Sequence, residues 1–195
     1  MNISKRLGII FFLGVLSSAS WATPIFQIDG TGKLTGATGV NVSGTLYDVQ
    51  FVEGKCNDLF TGCDQPSDFV FTTLAAADLA STALLNDVFV GFYDSDPTKT
   101  RGCSSSALCN AYTPYLKDSN DVLVSAAANS LSTIDAISHS SLVRNSDLTG
   151  DTAGTYVVWS LSVVPLSVAA VPEPSTVALL GLALAGIGFG RRKRV

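Results

Sequence analysis

The stretch KLTGATGVNVSGTLYDVQFVEG, from Lys33 to Gly54, indicates the fold class of this chain. Apolar and polar residues alternate along it, and a period of two is typical of β-strands that bury one face. The stretch therefore predicts strands with glycines at the turns. The residues expected to be buried are Val40, Val42, Leu46, Val49 and Phe51.

The next part of the chain changes period and predicts a helix. In the run TTLAAADLASTALLNDVF, at 72–89, apolar residues recur at helical spacing, and Thr72 or Thr73 can serve as the N-cap. The helix is expected to bury Leu74, Ala77, Leu84, Leu85 and Val88.

The remaining runs predict more strands. VFVGFYDSDP, at 88–97, is interpreted as a short strand that ends in an Asp-Pro turn, and the region around Cys103 and Cys109 as a loop. Three later strand-like runs are DVLVSAA at 121–127, IDAISHSSLV at 134–143 and TYVVWSLSVV at 155–164. One main helix among about six or seven strands predicts an α+β domain that is mainly antiparallel β-sheet.

The N-terminal segment, residues 1–22, has the three parts of a secretory signal peptide. Lys5 and Arg6 precede an apolar stretch, and small residues lead up to a predicted cleavage between Ala22 and Thr23. We therefore expect the protein to be exported.

The C-terminal segment, residues 171–195, combines a proline motif, an apolar run and a basic tail. The motif is VPEP (Val171, Pro172, Glu173, Pro174), and the tail is Arg191, Arg192, Lys193 and Arg194. A helix over the uncharged residues 176–189 would be roughly 21 Å long, which is short of the roughly 30 Å hydrocarbon core of a membrane. If residues 175 and 190 are added and the arginine side chains snorkel to the interface, the segment predicts a marginal transmembrane span over 175–190. The basic tail favours a cytoplasmic C-terminus, and the prolines favour an extended, accessible VPEP segment. A plain C-terminal membrane anchor is the alternative.

This order of motif, apolar run and basic cluster resembles the PEP-CTERM sorting signal. The resemblance implies recognition by an exosortase and anchoring in the inner membrane during processing. It further implies a final place on the cell surface or in the extracellular matrix of a Gram-negative bacterium that makes exopolysaccharide. The block GVNVSGTLYDVQFVEGKC, within 39–115, is similar to a group of small PEP-CTERM proteins of unknown function, and this likeness carries no activity with it.

These features predict four parts: a signal peptide at 1–22, an exported α+β domain at 23–162, a linker at 163–170 and the sorting signal at 171–195. Half of the 12 Lys and Arg residues lie in the two end segments, whereas all 16 acidic residues lie between Asp29 and Glu173. Residues 23–174 therefore carry six basic and 16 acidic side chains, a net charge of −10. Such acidity argues against binding nucleic acid or anionic lipid through charge.

The four cysteines, Cys56, Cys63, Cys103 and Cys109, all fall in the exported part. In an oxidising compartment an even number predicts disulfides. The spacing suggests the local pairs Cys56–Cys63 and Cys103–Cys109, although four cysteines allow three connectivities. A zinc site is disfavoured because the chain has one histidine and no C-x2-C spacing. No metal or cofactor is expected.

Candidate catalytic groups are few, and no catalytic residue is assigned. His139 is the only histidine, and no G-x-S-x-G motif accompanies it. An Asp/Glu pair could hydrolyse glycosidic bonds, but that chemistry depends on a separation that the sequence does not give. Acidic turns at Asp94-Ser95-Asp96 and Asp118-Ser119-Asn120-Asp121 are candidate calcium ligands or, alternatively, ordinary turn residues.

Three functions follow from these observations. The favoured one is a non-enzymatic surface or matrix protein that an exosortase sorts, with exopolysaccharide as a possible associate and no nucleic-acid partner. The alternatives are a secreted carbohydrate- or calcium-binding module and, third, a secreted hydrolase. Aromatic candidates for sugar contact are Tyr47, Tyr93, Tyr112, Tyr115 and Trp159, although Trp159 is expected to pack in the core.

Overall fold

A computed structural model describes residues 23–131 and 134–163, and these residues form one seven-stranded sheet with short helices. The strands are β1 (Ile25–Ile28), β2 (Leu34–Val42), β3 (Thr45–Val52), β4 (Leu108–Asp118), β5 (Asp121–Ser130), β6 (Ala136–Val143) and β7 (Gly154–Leu161). The α-helices are α1 (Cys56–Leu59), α2 (Leu74–Ala83) and α3 (Phe92–Ser95). A π-helical segment, Leu84–Val88, continues α2, and 3-10 turns lie at Pro66–Asp68 and Pro97–Lys99.

The strand order is β1-β2-β3-β7-β4-β5-β6, and the sheet is mixed. Every pair of neighbours is antiparallel except β4 and β7, which run parallel over three residue pairs. The sequence predicted a mainly antiparallel sheet, which five of the six neighbouring pairs confirm; the parallel pair β4–β7 was not predicted. The last strand of the described residues, β7, thus lies between two three-stranded antiparallel units, β1-β2-β3 and β4-β5-β6.

Both faces of the sheet are covered. Helix α2 and the π-helical segment pack on one face, here called the helix face, where the core includes Phe51, Val157 and Trp159. The segment 56–69 covers the other face, here called the loop face, with Phe60 packed against Tyr156. Successive side chains of β7 point alternately to the helix face and the loop face. Because both faces are covered, nearly the whole strand is buried.

The burial predicted for the opening stretch is largely confirmed. Val40, Val42, Val49 and Phe51 are buried, whereas Leu46 is only half-buried. The strand boundary differs from the prediction, because β2 continues through Gly39. This glycine has a positive φ and lies at a register shift between β2 and β3, and the chain turns only at Ser43–Gly44.

The predicted helix exists as α2 and its π-helical continuation. Thr73 is the N-cap, and its hydroxyl accepts a hydrogen bond from the backbone N–H of Ala76 at 3.3 Å. Ala77, Leu84 and Val88 are buried, but Leu74, the first residue of α2, is exposed.

Two predictions for the middle of the chain are wrong. The run at 88–97 is not a strand: Gly91 adopts φ +59 and the chain continues into helix α3. The region after Cys103 is a loop only up to Ala107, since Leu108 begins the eleven-residue strand β4. Pro114 is tolerated in this strand because it lies at a register shift between β4 and β5.

No helix within residues 23–131 and 134–163 is long and apolar enough to cross a membrane. The predicted span at 175–190 and the signal peptide at 1–22 lie outside the described residues.

Candidate functional site

The point at which the chain leaves the domain is held firmly. After β7, the backbone N–H of Ser162 donates to the carbonyl of Leu46 at 3.0 Å, and its hydroxyl donates to the Asp48 carboxylate. Val163 follows and is 87% exposed. Seven residues separate it from Val171, so the eight Cα–Cα steps between the two residues, at about 3.4 Å each, span about 27 Å at most. The chain thus leaves the domain at the end of the sheet that carries the β2–β3 turn.

The sorting residues themselves fall outside the described part of the chain. This holds for the VPEP motif Val171–Pro174, for the basic tail 191–194 and for Ala22 of the predicted cleavage site, while Thr23 is the first described residue. Their assignment stays a prediction from sequence.

The four cysteines form two local disulfides, Cys56–Cys63 and Cys103–Cys109. This is the pairing that the spacing suggested. All four sulfurs are buried, and residues 23–131 and 134–163 contain no free cysteine. The first disulfide closes helix α1 onto the loop face, and the second closes the loop that precedes β4.

His139 meets a carboxylate that sequence reasoning did not single out. Its Nε2 lies 3.0 Å from Oδ1 of Asp78, which projects from α2. The hydroxyl of Ser125 on β5 donates to the same oxygen at 2.7 Å. Burial, followed by the nearby Asp78 carboxylate, raises the pKa of Tyr115.

This cluster does not have the geometry of a hydrolytic triad. In a triad the histidine lies between the serine and the carboxylate. Here the carboxylate of Asp78 lies between Ser125 and His139, and Ser125 is fully buried. The cluster instead joins α2 to β5 and β6. Asp78 could have been suspected from the sequence only as a polar residue next to the buried Ala77.

The candidate calcium residues act as turn and cap residues. Asp96 accepts hydrogen bonds from the backbone N–H and the hydroxyl of Thr98, at 3.1 and 2.6 Å, at the start of a 3-10 turn. Asp118 and Asp121 face each other across the β4–β5 turn, where Asp121 accepts a hydrogen bond from the Ser141 hydroxyl at 2.8 Å. The described residues contain no group of three or more His, Cys, Asp or Glu that could hold a metal ion.

A carboxylate pair lies beside α3. Asp135 accepts a hydrogen bond from the backbone N–H of Ser130 at 2.8 Å and is close to Asp94. Burial raises the pKa of Asp135 despite that hydrogen bond, and the negative charge of Asp94 raises it further. The two residues are 41 positions apart, so no local pattern indicates their proximity.

A pocket of about 250 Å³ lies next to the second disulfide. Glu53 and Asp151 both line it, together with Lys33, whose Nζ donates to the Cys103 carbonyl at 3.0 Å. Glu53 accepts a hydrogen bond from the backbone N–H of Gly150 at 3.3 Å. Glu53 and Asp151 are therefore a carboxylate pair that bears on the hydrolase alternative.

The aromatic candidates are largely withdrawn from solvent. Trp159, Tyr93 and Tyr115 are buried, and Trp159 donates from Nε1 to the hydroxyl of Thr113 at 3.1 Å. Tyr47 and Tyr112 are half-buried. A flat aromatic surface for stacking on sugar rings is therefore not present among these five residues.

Residues 170–194 match the PEP-CTERM protein-sorting motif. No curated protein and no solved structure matches the chain. The motif supports a PEP-CTERM sorting-domain protein, exported, sorted in an exosortase-dependent way and anchored at the membrane during sorting. The further likeness of 39–115 to a group of small PEP-CTERM proteins gains no support from these comparisons.

Proposed function

We propose that the protein is a non-enzymatic component of the cell surface or extracellular matrix, associated with exopolysaccharide after an exosortase has processed it. The observation that carries the proposal is the sorting motif at 170–194 on an acidic, disulfide-containing domain. The domain is the part that remains once the signal peptide and the sorting signal are removed.

The arrangement of the domain supports delivery in this way. The chain leaves through Ser162, which is hydrogen-bonded to β3, so processing downstream of Val163 leaves the sheet intact. Local disulfides stabilise a domain in an oxidising compartment without depending on a partner. The acidity of the domain favours solubility in a hydrated matrix.

The side chains described above support a role without catalysis. The cysteines are paired, Ser125 is buried, and His139 contacts Asp78 and not a serine. These cysteine, serine and histidine side chains are thereby engaged in structural contacts.

The test compares two alanine replacements in the full-length chain in its native host. Replacement of Val171–Pro174 is expected to leave an unprocessed precursor in the inner membrane, whereas replacement of Leu166–Val168 in the predicted linker is expected to leave processing unchanged. The matrix fraction is then assayed for the protein before and after digestion of exopolysaccharide. Processing that survives the first replacement would contradict the delivery mechanism, and a protein absent from the matrix would contradict the location.

A further inference from the structure

Strand β6 forms one edge of the sheet, and within the described residues it pairs with β5 alone. Its eight residues, Ala136–Val143, pair with β5 without a register shift. In an antiparallel pair, alternate N–H and C=O groups point away from the neighbouring strand. β6 therefore presents a regular row of backbone donors and acceptors on its outer side.

The opposite edge of the sheet differs. β1 has four residues, and its pairing with β2 is interrupted by a register shift between Gln27 and Ile28. Shortness and bulges are the devices by which proteins block further strand pairing at an edge. The sequence AISHSSLV of β6 has no proline, lysine or bulge to do so.

β6 is also an uncharged stretch on an acidic domain. Residues 23–163 contain 15 acidic residues and six Lys or Arg, a net charge of −9, yet β6 contains none of these residue types. Its one ionisable side chain, His139, contacts Asp78 of the same chain. Two copies can therefore meet along β6 without bringing carboxylates opposite each other.

The charges that flank the strand are already engaged within the domain. Asp135 accepts a hydrogen bond from Ser130, and Nη1 of Arg144 donates to the carbonyl of Cys63 at 3.2 Å. Little charge is left at this edge to select an ionic partner, which favours a neutral, self-complementary one.

We propose that β6 is a self-association strand through which two copies of this chain pair antiparallel about a two-fold axis at Ser140. Residues directly opposite each other across two strands share a face of the sheet. An axis at Ser140 therefore sets Ile137 opposite Val143 of the second copy on the helix face. Val143 is 53% exposed in the single chain, and this pairing covers it.

This pairing joins two seven-stranded sheets edge to edge and closes the β6 edge of each, because a two-fold contact uses the same strand on both copies.

The first test places a cysteine on the axis in the full-length chain in host envelopes. With the axis at Ser140, the Cα atoms of the two Ser140→Cys residues come within the range that a disulfide spans. We expect a reducible dimer of twice the chain mass from Ser140→Cys, and none from Ser160→Cys, an exposed position on the interior strand β7. A dimer formed most readily by His139→Cys would overturn this register. No dimer from His139→Cys, Ser140→Cys or Ser141→Cys, or a conjugate with a different protein, would overturn the proposal.

The second test needs no added thiol. Ser140→Lys places a charge at the pairing edge and is expected to raise the dissociation constant of the dimer about tenfold or more. Ser140→Thr keeps the edge neutral and is the matched control, expected to stay dimeric. Sedimentation of the full-length chain in mild detergent measures both. A parent chain that is monomeric at every concentration, or equal dissociation constants for the two variants, would refute self-association through β6.

Discussion

Nε2 of His139 lies 3.0 Å from Oδ1 of Asp78, and this contact ties the edge strand β6 to helix α2. The same carboxylate oxygen accepts a hydrogen bond from the buried hydroxyl of Ser125. Asp78 thus joins one helix and two strands, and its two contacts differ in burial. They are therefore expected to differ in energy.

Asp78→Ala is predicted to lower the free energy of unfolding by about 1–3 kcal/mol, because it leaves the buried Ser125 hydroxyl without its acceptor. His139→Ala removes a half-exposed contact and is predicted to cost less than about 1 kcal/mol. Asp58→Ala, at an exposed position in α1, is the control. Urea unfolding of the exported chain measures all three. Equal losses for Asp78→Ala and His139→Ala would show that the Ser125 contact contributes nothing.

Asp135→Asn is predicted to stabilise the protein more at pH 7 than at pH 4. Burial and the neighbouring Asp94 raise the pKa of Asp135, so the fold favours its protonated form. The stability that comes from this carboxyl is present below its ordinary pKa and is lost as the pH rises through the raised value. An asparagine keeps an acceptor for Ser130 without the charge. Urea unfolding of parent and variant at both pH values measures the difference in stability. A variant that is no more stable than the parent at pH 7 would contradict the prediction.

Tyr156→Phe is predicted to be neutral or stabilising by up to about 1 kcal/mol at neutral pH. Within the described residues the buried hydroxyl of Tyr156 has no hydrogen-bond partner, so it is desolvated without compensation. Burial, with a smaller contribution from Tyr112, raises the pKa of Tyr156 to about 12. The parent should therefore lose stability as the pH rises above about 10, and the variant should lose less. Thermal unfolding between pH 7 and 11 measures both proteins, and an equal loss of stability in parent and variant would refute the prediction.

Gly36→Ala is predicted to destabilise the sheet by about 1–3 kcal/mol or more. A Cβ at this position would lie 2.2 Å from the backbone carbonyl oxygen of Val49, which cannot move without disturbing β3. Gly154→Ala should cost less, because its Cβ would meet the ring of Tyr112 at 2.6 Å and that side chain can rotate. Gly30→Ala has nothing within 4 Å and is the control. The expected loss of unfolding free energy is largest for Gly36→Ala, smaller for Gly154→Ala and smallest for Gly30→Ala. Any other order would contradict the prediction.

The strands that alternate cleanly could be predicted from the sequence, and those whose pattern is interrupted could not. β3 and β7 follow from their own residues, whereas β4 contains Pro114, which ordinarily argues against a strand. Its position at a register shift removes that objection, but the register is a property of the pairing with β5. The parallel contact of β4 with β7 likewise depends on which strands meet and not on local propensity.

The candidate sites divide in the same way. The sorting signal is local and continuous, so the sequence alone carries it, and the cysteine spacing suggested the local disulfides while leaving three connectivities open. The Asp78–His139 contact joins residues 61 positions apart and depends on how α2 crosses the sheet. No local pattern encodes such a contact.

Intact mass of the protein recovered from the host's outer surface, measured with and without reduction, is the decisive test of exosortase-dependent delivery. We expect a chain that begins at Thr23 and ends near Val171–Pro174, and a mass that rises by about four hydrogens when the two disulfides are reduced. A chain that keeps residues 175–195 and is found only in the inner membrane would contradict it.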